Sequence, residues 1–474
     1  MTEPDQTPMP IPAPLRAVLQ DIARSARPLL VGGCVRDWLM GLEPEDFDIE
    51  VYGCDWDRLE TLLKVHGPVQ MVGRSFGVMK LKLGSTVHDF SLPRRESKTG
   101  SGHRGFQVEA DPNLGERDAA ARRDFTINAL MVDPLKGELI DHFGGCADLE
   151  RRILRHTGTA FSEDPLRVLR GFQLAARFSC TMAPETTKLC RSMLDEYQTL
   201  PVERVWGEWE KWCTQAATPS DGLRILKETG WIALFPQVAA IDGVPQDPEW
   251  HPEGDVLAHT GFCLDALTAS PSWAQTSPDD RRTLSLAVLA HDFGKATTTL
   301  KGERHGEVRW ISPRHDSEGG PLADEFLMGI GAPTALSATV RPLVEQHLYH
   351  HSWAHDGPSA ASIRRLARRL EPATIEQLCR VMEADSRGRP PRASPDSDAR
   401  IRILAQAARN LQLEQQAPRP ILLGRHLMES GMKPGLQFGP ILKEAFEAQL
   451  DGAFDDIPGA RQWLETRMHR EPSG

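Results

Sequence analysis

Several absences limit what this 474-residue chain can be. It has no apolar run long enough to cross a bilayer, and residues 1–15 are Pro-rich and acidic, unlike a signal or transit peptide. Its eight cysteines include no Cys-x-x-Cys pair, which favours reduced, mostly buried thiols over a zinc site or a disulfide framework. We therefore expect a cytoplasmic protein that makes no membrane contact.

Positive charge and aromatic residues are also scarce. The formal net charge is −11 and only 6% of residues are aromatic. Single-stranded RNA is usually held by basic grooves and stacking rings, so the composition argues against an RNA-binding scaffold or a protein that coats nucleic acid. An RNA substrate remains compatible with it, because a local basic surface is enough for phosphate contacts.

The most informative stretch begins with an apolar run at residues 29–31 that ends in Gly32 and Gly33. Glycine lets the backbone bend tightly and approach a ligand closely. A helix predicted over residues 34–40 would point its N-terminal amides at this turn, and Arg36 adds a charged donor. These features suit an anion such as a triphosphate.

Two acidic residues, Asp46 and Asp48, follow in a strand-like run, so both carboxylates are expected on one face. Paired carboxylates are typical ligands of Mg²⁺ in phosphoryl or nucleotidyl transfer. The alternative is a Gly-Gly hairpin followed by an exposed acidic strand. Three further strands are predicted, over residues 69–72, 77–83 and 87–92. Asp89 lies in the last of them and is a candidate third metal carboxylate. The alternative is a surface-facing strand residue.

Residues 121–130 add a second candidate segment. Arg122 and Arg123 can neutralise phosphate, while Asp124 and Asn128 are four apart on a predicted helix and could bond ribose hydroxyls. A charged helix start with no ligand is the alternative. Before it, residues 93–112 are basic, Gly-rich and aperiodic, which predicts a mobile loop that either closes over a substrate or is a solvated connection.

A third candidate pair begins the next predicted helix, near residues 162–163 with Pro165 in its first turn. Asp164 and Arg167 are three apart on this helix and offer an acceptor and donors suited to a base edge. An ordinary intrahelical salt bridge is the alternative.

Together these motifs resemble those of the class II tRNA nucleotidyltransferase and poly(A) polymerase family, a branch of the polymerase-β superfamily. The similarity is greatest to the bacterial enzymes that add or repair the CCA end of tRNA. It extends over roughly residues 29–210 and is carried by GGCVRDWLMG with DFD, RRDFTIN, DHFGGCADLERRILR, EDPLR and RVLRGFQLAARF.

The resemblance implies roles for individual residues. Asp46 and Asp48 would hold catalytic Mg²⁺ ions, and Asp89 is kept beside them as a catalytic candidate. Nucleotide contacts would come from Gly32, Gly33, Arg36 and Asp37 at the triphosphate, Arg123, Asp124 and Asn128 at the ribose, Asp164 and Arg167 at the base of CTP or ATP, and Arg170 and Arg177 beyond them. Residues 93–112 fall where the family carries a flexible loop linked to switching from C to A addition.

The second half contains a different set of polar residues in an otherwise helical sequence. In order, His259, the pair His291-Asp292 and Asp385 resemble the ligand set of the HD-domain phosphohydrolase superfamily, whose metal is a divalent transition metal or Mg²⁺. His315 and His347 lie where members with a second metal find extra ligands. The alternative is that these histidines are surface or satisfied core residues.

A short helix predicted over residues 362–370 is the candidate RNA contact. Its four guanidiniums could meet tRNA phosphates, although a solvated helix face is the common alternative; they belong to Arg364, Arg365, Arg368 and Arg369.

The expected fold is multidomain: an α/β nucleotidyltransferase head of polymerase-β type, a mostly α-helical neck and body, and an α-helical HD domain. The expected segments are a disordered leader with a first helix (1–24), the head (25–145), the neck and body (146–240), the HD domain (246–395) and a helical tail (396–474). The expected function is CCA addition to tRNA from CTP and ATP, with a fused phosphatase or 2′,3′-cyclic phosphodiesterase. The alternatives are a poly(A) polymerase, an enzyme that adds only A or only CC, and a hydrolase with a nucleotide-sensing head. The sequence leaves the oligomeric state open.

Overall fold

The computed structural model describes residues 9–44, 46–72, 77–98, 106–304, 306–353, 357–392 and 394–470. The chain divides into two compact units. Unit 1 comprises Met1–Trp212 and Asp221–Ile232, and unit 2 comprises Cys213–Ser220 and Ala233–Gly474.

Unit 1 is built on a mixed sheet. Seven strands lie in the order β3-β4-β5-β2-β1-β8-β9, in which β2 and β5 are parallel and the other neighbours are antiparallel. The strands of unit 1 are β1 (Arg27–Val31), β2 (Asp48–Tyr52), β3 (Val69–Val72), β4 (Val78–Leu83), β5 (Thr86–Ser91), β6 (Arg94–Lys98), β7 (Phe106–Ala110), β8 (Met131–Asp133), β9 (Glu138–Ile140), β10 (Ile153–Leu154) and β11 (Thr181–Met182). The short strands β10 and β11 form a separate parallel pair.

Side chains along β4 and β5 alternate between the two faces of the sheet. Met79 and Phe90 are fully buried on the core face. Their neighbours Lys80 and Asp89 are directly paired in the register and point to the opposite face. The alternation therefore separates a packed face of the sheet from one that carries charge.

Helices cover the sheet and continue beyond it. They are α1 (Ala13–Ile22), α2 (Gly33–Leu39), α3 (Trp56–Lys64), α4 (Glu116–Ala120), α5 (Gly145–Glu150), α6 (Leu166–Phe178), α7 (Pro184–Arg191), α8 (Val202–Gln215) and α9 (Pro219–Thr229). Short 3-10 turns lie at Thr126–Asn128, Thr159–Glu163, Leu194–Thr199 and Trp231–Leu234. Helix α6 packs on α8 through Phe172, whose ring centroid lies 4.7 Å from that of Trp209 and 5.6 Å from that of Trp212. This aromatic contact fixes α6 and so the residues at its N-terminal end.

Two segments of unit 1 are more ordered than expected. Strands β6 and β7 pair as an antiparallel ribbon, so the prediction of an aperiodic loop over 93–112 is wrong for these strands; residues 99–105 lie outside the described part. Met9 and Ile11 are buried, so the part of the expected 1–24 segment that precedes α1 is ordered from residue 9.

Unit 2 is almost entirely helical, as predicted. Its helices are α10 (Pro236–Ala240), α11 (Val256–Thr268), α12 (Pro278–Ala290), α13 (Lys295–Thr298), α14 (His315–Gly329), α15 (Thr334–Gln346), α16 (Ala360–Leu370), α17 (Ile375–Arg387), α18 (Pro395–Asn410), α19 (Gly424–Glu429), α20 (Phe438–Asp451) and α21 (Ile457–Arg470). An antiparallel hairpin, β12 (Leu300–Arg304) with β13 (Glu307–Ile311), and two 3-10 turns, Trp273–Gln275 and Tyr349–His351, complete it.

The interior of unit 2 is formed by helices α11, α12, α15 and α17, which pack on one another. The start of α11 is fixed by Asp255, whose side chain caps the helix by accepting from the Ala258 amide at 2.8 Å. Helices α19–α21 share a smaller apolar core that includes Leu427, Ile441 and Leu464. Across the described residues, no helix has the length and apolar content needed to cross a membrane.

Candidate functional sites

The polar face of the sheet in unit 1 carries two neighbouring carboxylates, and a third, Asp46, lies in electrostatic range of them. Asp48 begins β2 and is in register with Asp89 on the parallel neighbour β5. Removal from water in the cleft raises the pKa of Asp48; Arg123 opposes this, while the negative charges of Asp89 and Asp46 add to it. Mutual repulsion of this kind is relieved by a divalent cation, so the donors fit the Mg²⁺ site expected here.

The local geometry of Asp46 differs from the prediction. Strand β2 starts at Asp48, and Asp46 lies in a bend before it, so the two residues do not share a face by strand alternation. The bend brings Asp46 into electrostatic range of Asp48 instead. Asp89 has both carboxylate oxygens bonded to Lys80 Nζ, at 2.7 and 2.8 Å.

A cavity of about 390 Å³ opens beside these carboxylates. Its lining in the described part of unit 1 includes Asp48, Asp89 and six arginines, namely Arg36, Arg94, Arg122, Arg123, Arg167 and Arg170. An excess of guanidinium over carboxylate suits a polyanion that also binds cations. A nucleoside triphosphate has that chemistry.

The turn that ends β1 requires glycine for two reasons. Gly32 has φ +76°, in the left-handed region that other residues rarely adopt. A Cβ at Gly32 would also lie 2.9 Å from Nη1 of Arg123. The turn and Arg123 are therefore in close contact at the cavity wall.

Arg36 is almost fully buried in a network of its own. It donates from Nε and Nη2 to Asp37 Oδ1 at 2.8 and 2.6 Å, and from Nη1 to Asn128 Oδ1 at 2.6 Å. Arg177 donates to the other oxygen of Asp37 at 3.3 Å, and both guanidiniums lie over the ring of Phe178. Asp37 thus holds two arginines in place, and any effect of Asp37 on a triphosphate passes through Arg36.

The segment with Asp124 is not the helix predicted for it. Phe125 is extended and only Thr126–Asn128 form a 3-10 turn, yet Asn128 Nδ2 still donates to Asp124 Oδ1 at 3.0 Å. Arg170 binds the second oxygen of Asp124 at 3.0 Å. Burial alone would raise the pKa of Asp124, but Arg170, Asn128 and the Phe125 amide together lower it, so the carboxylate stays ionised.

Asp164 and Arg167 are placed near each other but have different partners. Asp164 precedes α6, where its Oδ1 accepts from the Leu166 amide at 3.1 Å and its Oδ2 accepts from Arg204 of α8 at 2.8 Å. Arg167 donates to the carbonyls of Ala160 and Arg122 at 2.6 and 2.7 Å. The predicted helix face therefore does not form, because α6 begins only at Leu166.

In unit 2 the predicted ligands come together in one buried cluster. His259 Nε2 lies 3.1 Å from Asp385 Oδ1 and 3.7 Å from Asp292 Oδ2. His291 Nε2 lies 3.2 Å from Asp292 Oδ2, and His315 Nε2 lies 3.3 Å from Asp292 Oδ1. Asp292, His315 and His347 also form a group of donors within 4.8 Å of one another. The interpretation of these histidines as surface residues is wrong.

Three of the imidazoles are held by backbone carbonyls. Nδ1 of His291, His315 and His347 each donates at 2.7 Å to the carbonyl three residues earlier, on Val288, Ser312 and Val344. This bond fixes the tautomer that leaves Nε2 without a proton, as in metal-binding histidines. Nε2 of His291 is buried and faces Asp292 Oδ2 at 3.2 Å. The donor set fits a divalent metal.

The pKa shifts of the cluster bear on its ability to bind a metal. Burial lowers the pKa of His347 to about 3, with His315 and His291 adding to the effect, and burial also lowers the pKa of His315. Burial alone would raise the pKa of Asp292 and of Asp385. His291 and Lys295 instead hold the pKa of Asp292 well below its usual range, and Arg389 does the same for Asp385. Burial would also lower the pKa of His291, but the charges of Asp292 and Asp385 outweigh it and the pKa is raised. The ionised carboxylates and the neutral forms of His315 and His347 are the forms that bind a metal.

One buried carboxylate in this region is missing from the predicted set. Glu253 has a fully buried side chain, and its Oε1 lies 2.8 Å from Nδ1 of both His251 and His259. Those hydrogen bonds outweigh the effect of burial and lower the pKa of Glu253 to about 2. A carboxylate behind a metal-binding imidazole orients it and raises its basicity.

Comparison with known proteins places the chain in a family. The Poly A polymerase head domain family matches residues 29–155. A protein of Xanthomonas campestris described as a multifunctional CCA protein is 36% identical over 371 residues, which cover 76% of this chain and 85% of that protein. One from Xylella fastidiosa is 36% identical over 368 residues, covering 76% and 83%. This chain belongs to the multifunctional CCA protein family.

Solved structures agree with the family in fold. A CCA-adding enzyme of Bacillus stearothermophilus in complex with CTP matches with TM-score 0.63 and 19% identity over 97% of this chain and 98% of that chain. A Thermotoga maritima CCA-adding enzyme complexed with tRNA matches with TM-score 0.58 and 18% identity over 97% of each chain. The predicted nucleotidyltransferase head with its mixed sheet and the helical body are confirmed, and they match the fold of these CCA-adding enzymes.

The four arginines of α16 have intramolecular contacts in this family member. Arg364 donates to the Leu450 carbonyl at 3.4 Å, and Arg365 binds Asp451 at 2.7 Å, both on α20. Arg368 pairs with Glu371, and Arg369 lies over the ring of Tyr349. Arg368 and Arg369 are exposed, so they are the members of the set that remain accessible to RNA.

Sequence reasoning did not identify Arg204 or Glu253 as parts of the sites. Arg204 reaches Asp164 from 40 positions away, and Glu253 reaches His259 across the turn that precedes α11. The one available signal for Glu253 was a helix N-cap at Asp255 close to two histidines.

Proposed function

We propose that the chain adds the nucleotides C, C and A to the 3′ end of tRNA, using CTP and ATP and no nucleic-acid template. The observation that carries the proposal is that Asp48 and Asp89 line an arginine-rich cavity of about 390 Å³, with Asp46 in electrostatic range of Asp48. Membership of the multifunctional CCA protein family supports it. Poly(A) addition or partial addition is the alternative, since the matching head domain is described as that of poly(A) polymerase.

In this proposal Asp46 and Asp48 hold Mg²⁺, and Asp89 contributes once Lys80 releases it. The metal would neutralise phosphate charge and align the reacting oxygens. The 3′-hydroxyl of the RNA attacks the α-phosphate of the nucleotide, and pyrophosphate leaves. Arg123 and the Gly32–Gly33 turn hold the triphosphate, with Arg36 fixed behind them.

Selection of the base is assigned to the start of α6. Arg167 lines the cavity, and Asp164 stands beside it, held by Arg204. Asp124, Asn128 and Arg170 form the ribose side of the same wall. A protein edge of acceptors and donors would replace a template strand.

The test of this activity is primer extension of tRNA transcripts ending before CCA, after C and after CC. CTP alone should extend the first two to CC, and ATP alone should add one residue to the third. Asp48→Asn should reduce every extension on the order of a hundredfold or more, because charge stabilisation of the transition state is removed. Unchanged extension by that variant would rule out the assigned centre.

For unit 2 we propose a metal-dependent phosphohydrolase of the HD type, acting as a phosphatase or 2′,3′-cyclic phosphodiesterase on RNA ends or nucleotides. His259, His291, Asp292 and Asp385 would hold the metal, with His315 and His347 supplying a second position beside Asp292. The metal would supply Lewis-acid stabilisation of the phosphoryl oxygens. Lys295, 2.7 Å from Asp292, is placed to orient that carboxylate.

Both activities in one chain suggest a repair sequence in which a blocked RNA end is hydrolysed and then rebuilt. We assign the head to residues 25–145, the neck and body to 146–240, the HD domain to 246–395 and the helical tail to 396–474. The exposed Arg368 and Arg369 are assigned to tRNA phosphates.

Hydrolysis of a nucleoside 2′,3′-cyclic phosphate by the full chain tests the second activity. Turnover should require added divalent metal and should disappear in Asp292→Asn, whereas CCA addition by that variant should be unchanged. Metal-independent turnover, or turnover retained in Asp292→Asn, would contradict the assignment.

A further inference from the structure

One exposed tryptophan lies next to the buried cluster of unit 2. Trp250 belongs to the loop between α10 and α11 and is 47% exposed. Among the described residues, the other tryptophans are all buried or half-buried. An indole gains free energy when its ring is covered, so an exposed one beside a proposed active site is a candidate contact for a ligand.

The position of Trp250 follows from its neighbour in the chain. The ring centroid of His251 lies 4.8 Å from that of His259, a proposed metal ligand. Consecutive Cα atoms are about 3.8 Å apart, so the backbone of Trp250 is directly beside a residue that contacts the cluster. The amides of Trp250 and His251 both donate to the Asp247 carbonyl, at 3.1 and 2.8 Å, which fixes this turn.

The loop that carries the tryptophan is tied to the cluster at both of its ends. At the start, Gln246 Oε1 accepts from Lys295 Nζ at 2.8 Å, and the same Nζ lies 2.7 Å from Asp292. At the end, Glu253 Oε1 lies 2.8 Å from Nδ1 of His259. A contact surface that is already held in place loses little conformational entropy when a ligand binds.

A second segment connects the same tryptophan to the cluster. Arg389 Nη2 donates to Asp385 Oδ1 at 2.7 Å, and the Arg392 amide donates to the Arg389 carbonyl at 2.6 Å, which closes a tight turn. The guanidinium of Arg392 lies over the Trp250 ring, 4.1 Å from its centroid, and donates to the Glu249 carbonyl. The stacked pair is thus reached from the cluster along two short stretches of chain.

A guanidinium over an indole ring is suited to a nucleobase. Single-stranded RNA is commonly held by bases that stack on aromatic rings and on the planes of arginine side chains. Within the described part of unit 2, no carboxylate pairs with Arg392, and the neighbouring Glu249 side chain binds Arg309 instead. The charge of Arg392 is therefore left to cation–π contacts with the indole and with a base stacked beside it.

We propose that Trp250, with Arg392 against its ring, binds the base of the nucleotide whose phosphate is hydrolysed at the unit 2 cluster. The proposal rests on the proposed phosphohydrolase function and narrows its substrate to a nucleoside 2′,3′-cyclic phosphate, free or at an RNA 3′ end. Water adds across one P–O bond of the cyclic phosphate, and the released ribose oxygen takes up a proton. Trp250 contacts the substrate away from this bond, so it determines specificity for a base.

Hydrolysis of two substrates by the full chain with added divalent metal tests the proposal. Adenosine 2′,3′-cyclic phosphate carries a base, whereas methyl riboside 2′,3′-cyclic phosphate has a methyl group in its place. Trp250→Ala should raise KM for the adenosine substrate about five- to hundredfold, the equivalent of about 1–3 kcal/mol, because one stacking contact is lost. It should leave kcat, and both constants for the base-free substrate, unchanged.

Two further variants sharpen the comparison. Trp250→Phe should restore most of the affinity for the adenosine substrate, since a phenyl ring also stacks on a base. Trp463→Ala is the matched control, because Trp463 is a half-buried tryptophan of α21 that packs against Phe454. It should leave KM unchanged for both substrates.

The outcomes separate this inference from the proposed function. Metal-dependent turnover in which Trp250→Ala affects both substrates equally, or neither, would overturn the base contact and leave the hydrolase intact. Absence of metal-dependent turnover with both substrates would overturn the substrate class and the proposed cyclic phosphodiesterase together. If Trp250→Ala does not fold, the wild type decides alone: kcat/KM must be at least about fivefold higher for the adenosine substrate, and equal values contradict the proposal.

Discussion

Arg36 donates from Nη1 to Oδ1 of Asn128 at 2.6 Å. This bond ties the helix after the Gly32–Gly33 turn to the 3-10 turn that contains Asn128. The same amide donates from Nδ2 to Asp124 at 3.0 Å. One side chain thus links the cavity wall proposed for the triphosphate to the wall proposed for the ribose.

Asn128→Ala should therefore weaken nucleotide use without removing the metal ligands. A hydrogen bond to a charged group contributes about 1.5–3 kcal/mol, which corresponds to roughly a ten- to hundredfold loss in kcat/KM. Steady-state extension with CTP and with ATP measures it. Asn113→Ala, at an exposed position of the same unit, is the control, and equal kinetics for the two variants would contradict the linking role.

The ion pair of Asp124 and Arg170 predicts a pH dependence of stability. The pKa of Asp124 is lower in the folded state than the ordinary value of 3.8. The contribution of Asp124 to the free energy of unfolding is therefore complete above pH 3.8 and is lost as the pH falls through the folded-state pKa. The free energy of unfolding of the wild type should exceed that of Asp124→Asn at pH 6, and the difference should shrink below about pH 4. Urea unfolding followed by tryptophan fluorescence tests this.

The matched control for the pH experiment is Asp118→Asn, at an exposed position of α4. Its difference from the wild type should change less with pH than that of Asp124→Asn. A constant difference for Asp124→Asn between pH 6 and pH 3 would show that Asp124 is not ionised by the folded structure in the way described.

Asp89 is predicted to act as a third metal carboxylate in competition with Lys80. Asp89→Asn should raise the Mg²⁺ concentration for half-maximal extension by about tenfold, since one charged ligand is removed. Lys80→Met should lower it, because the carboxylate is then released from its ion pair. Lys82→Met, exposed on the same strand, should change neither, and an unaltered Mg²⁺ requirement in Asp89→Asn would exclude Asp89 from the metal site.

Glu253→Gln should reduce the metal affinity of the unit 2 cluster by about ten- to hundredfold, because the carboxylate that orients His259 is replaced by a neutral amide. Calorimetric titration with Zn²⁺ measures the affinity directly. Glu249→Gln serves as the control, since the Glu249 side chain is 54% exposed and pairs with Arg309. Identical affinities in the two variants would argue against a positioning role for Glu253.

The sequence was most predictive where a function depends on residues close together in the chain. The run from Leu29 to Gly33 forms a strand and turn as expected. The pair His291-Asp292 follows directly on α12, so its two residues stay close together in the fold. Asp46 was placed on the wrong element, because a bend and a strand start cannot be told apart over two residues.

Contacts between distant segments were not predictable. Asp164 is bound by Arg204 only after α6 and α8 pack, and no spacing rule encodes this contact. The strand pair β6–β7 was missed for a related reason: β6 is polar throughout, so no period of two in hydrophobicity is visible along it.

Arg368 and Arg369 are predicted to contact tRNA phosphates. Reversing both charges, Arg368→Glu with Arg369→Glu, should weaken tRNA binding. The negative slope of log affinity against log salt should become shallower by about 1 for each phosphate that is no longer bound. Filter binding over a range of salt concentrations measures both effects. Arg314→Glu, whose side chain is 80% exposed elsewhere in unit 2, is the control; an unchanged slope in the double variant would remove α16 from the RNA surface.

We propose that CCA is built on tRNA in the cavity lined by Asp48 and Asp89. The most direct measurement is to incubate the full chain with Mg²⁺, CTP, ATP and a tRNA transcript that ends before CCA, and to sequence the 3′ ends beside those from Asp48→Asn. We predict ends that read CCA with the wild type and unextended ends with the variant. Addition of A alone, a run of A, or CCA made equally by the variant would contradict the account.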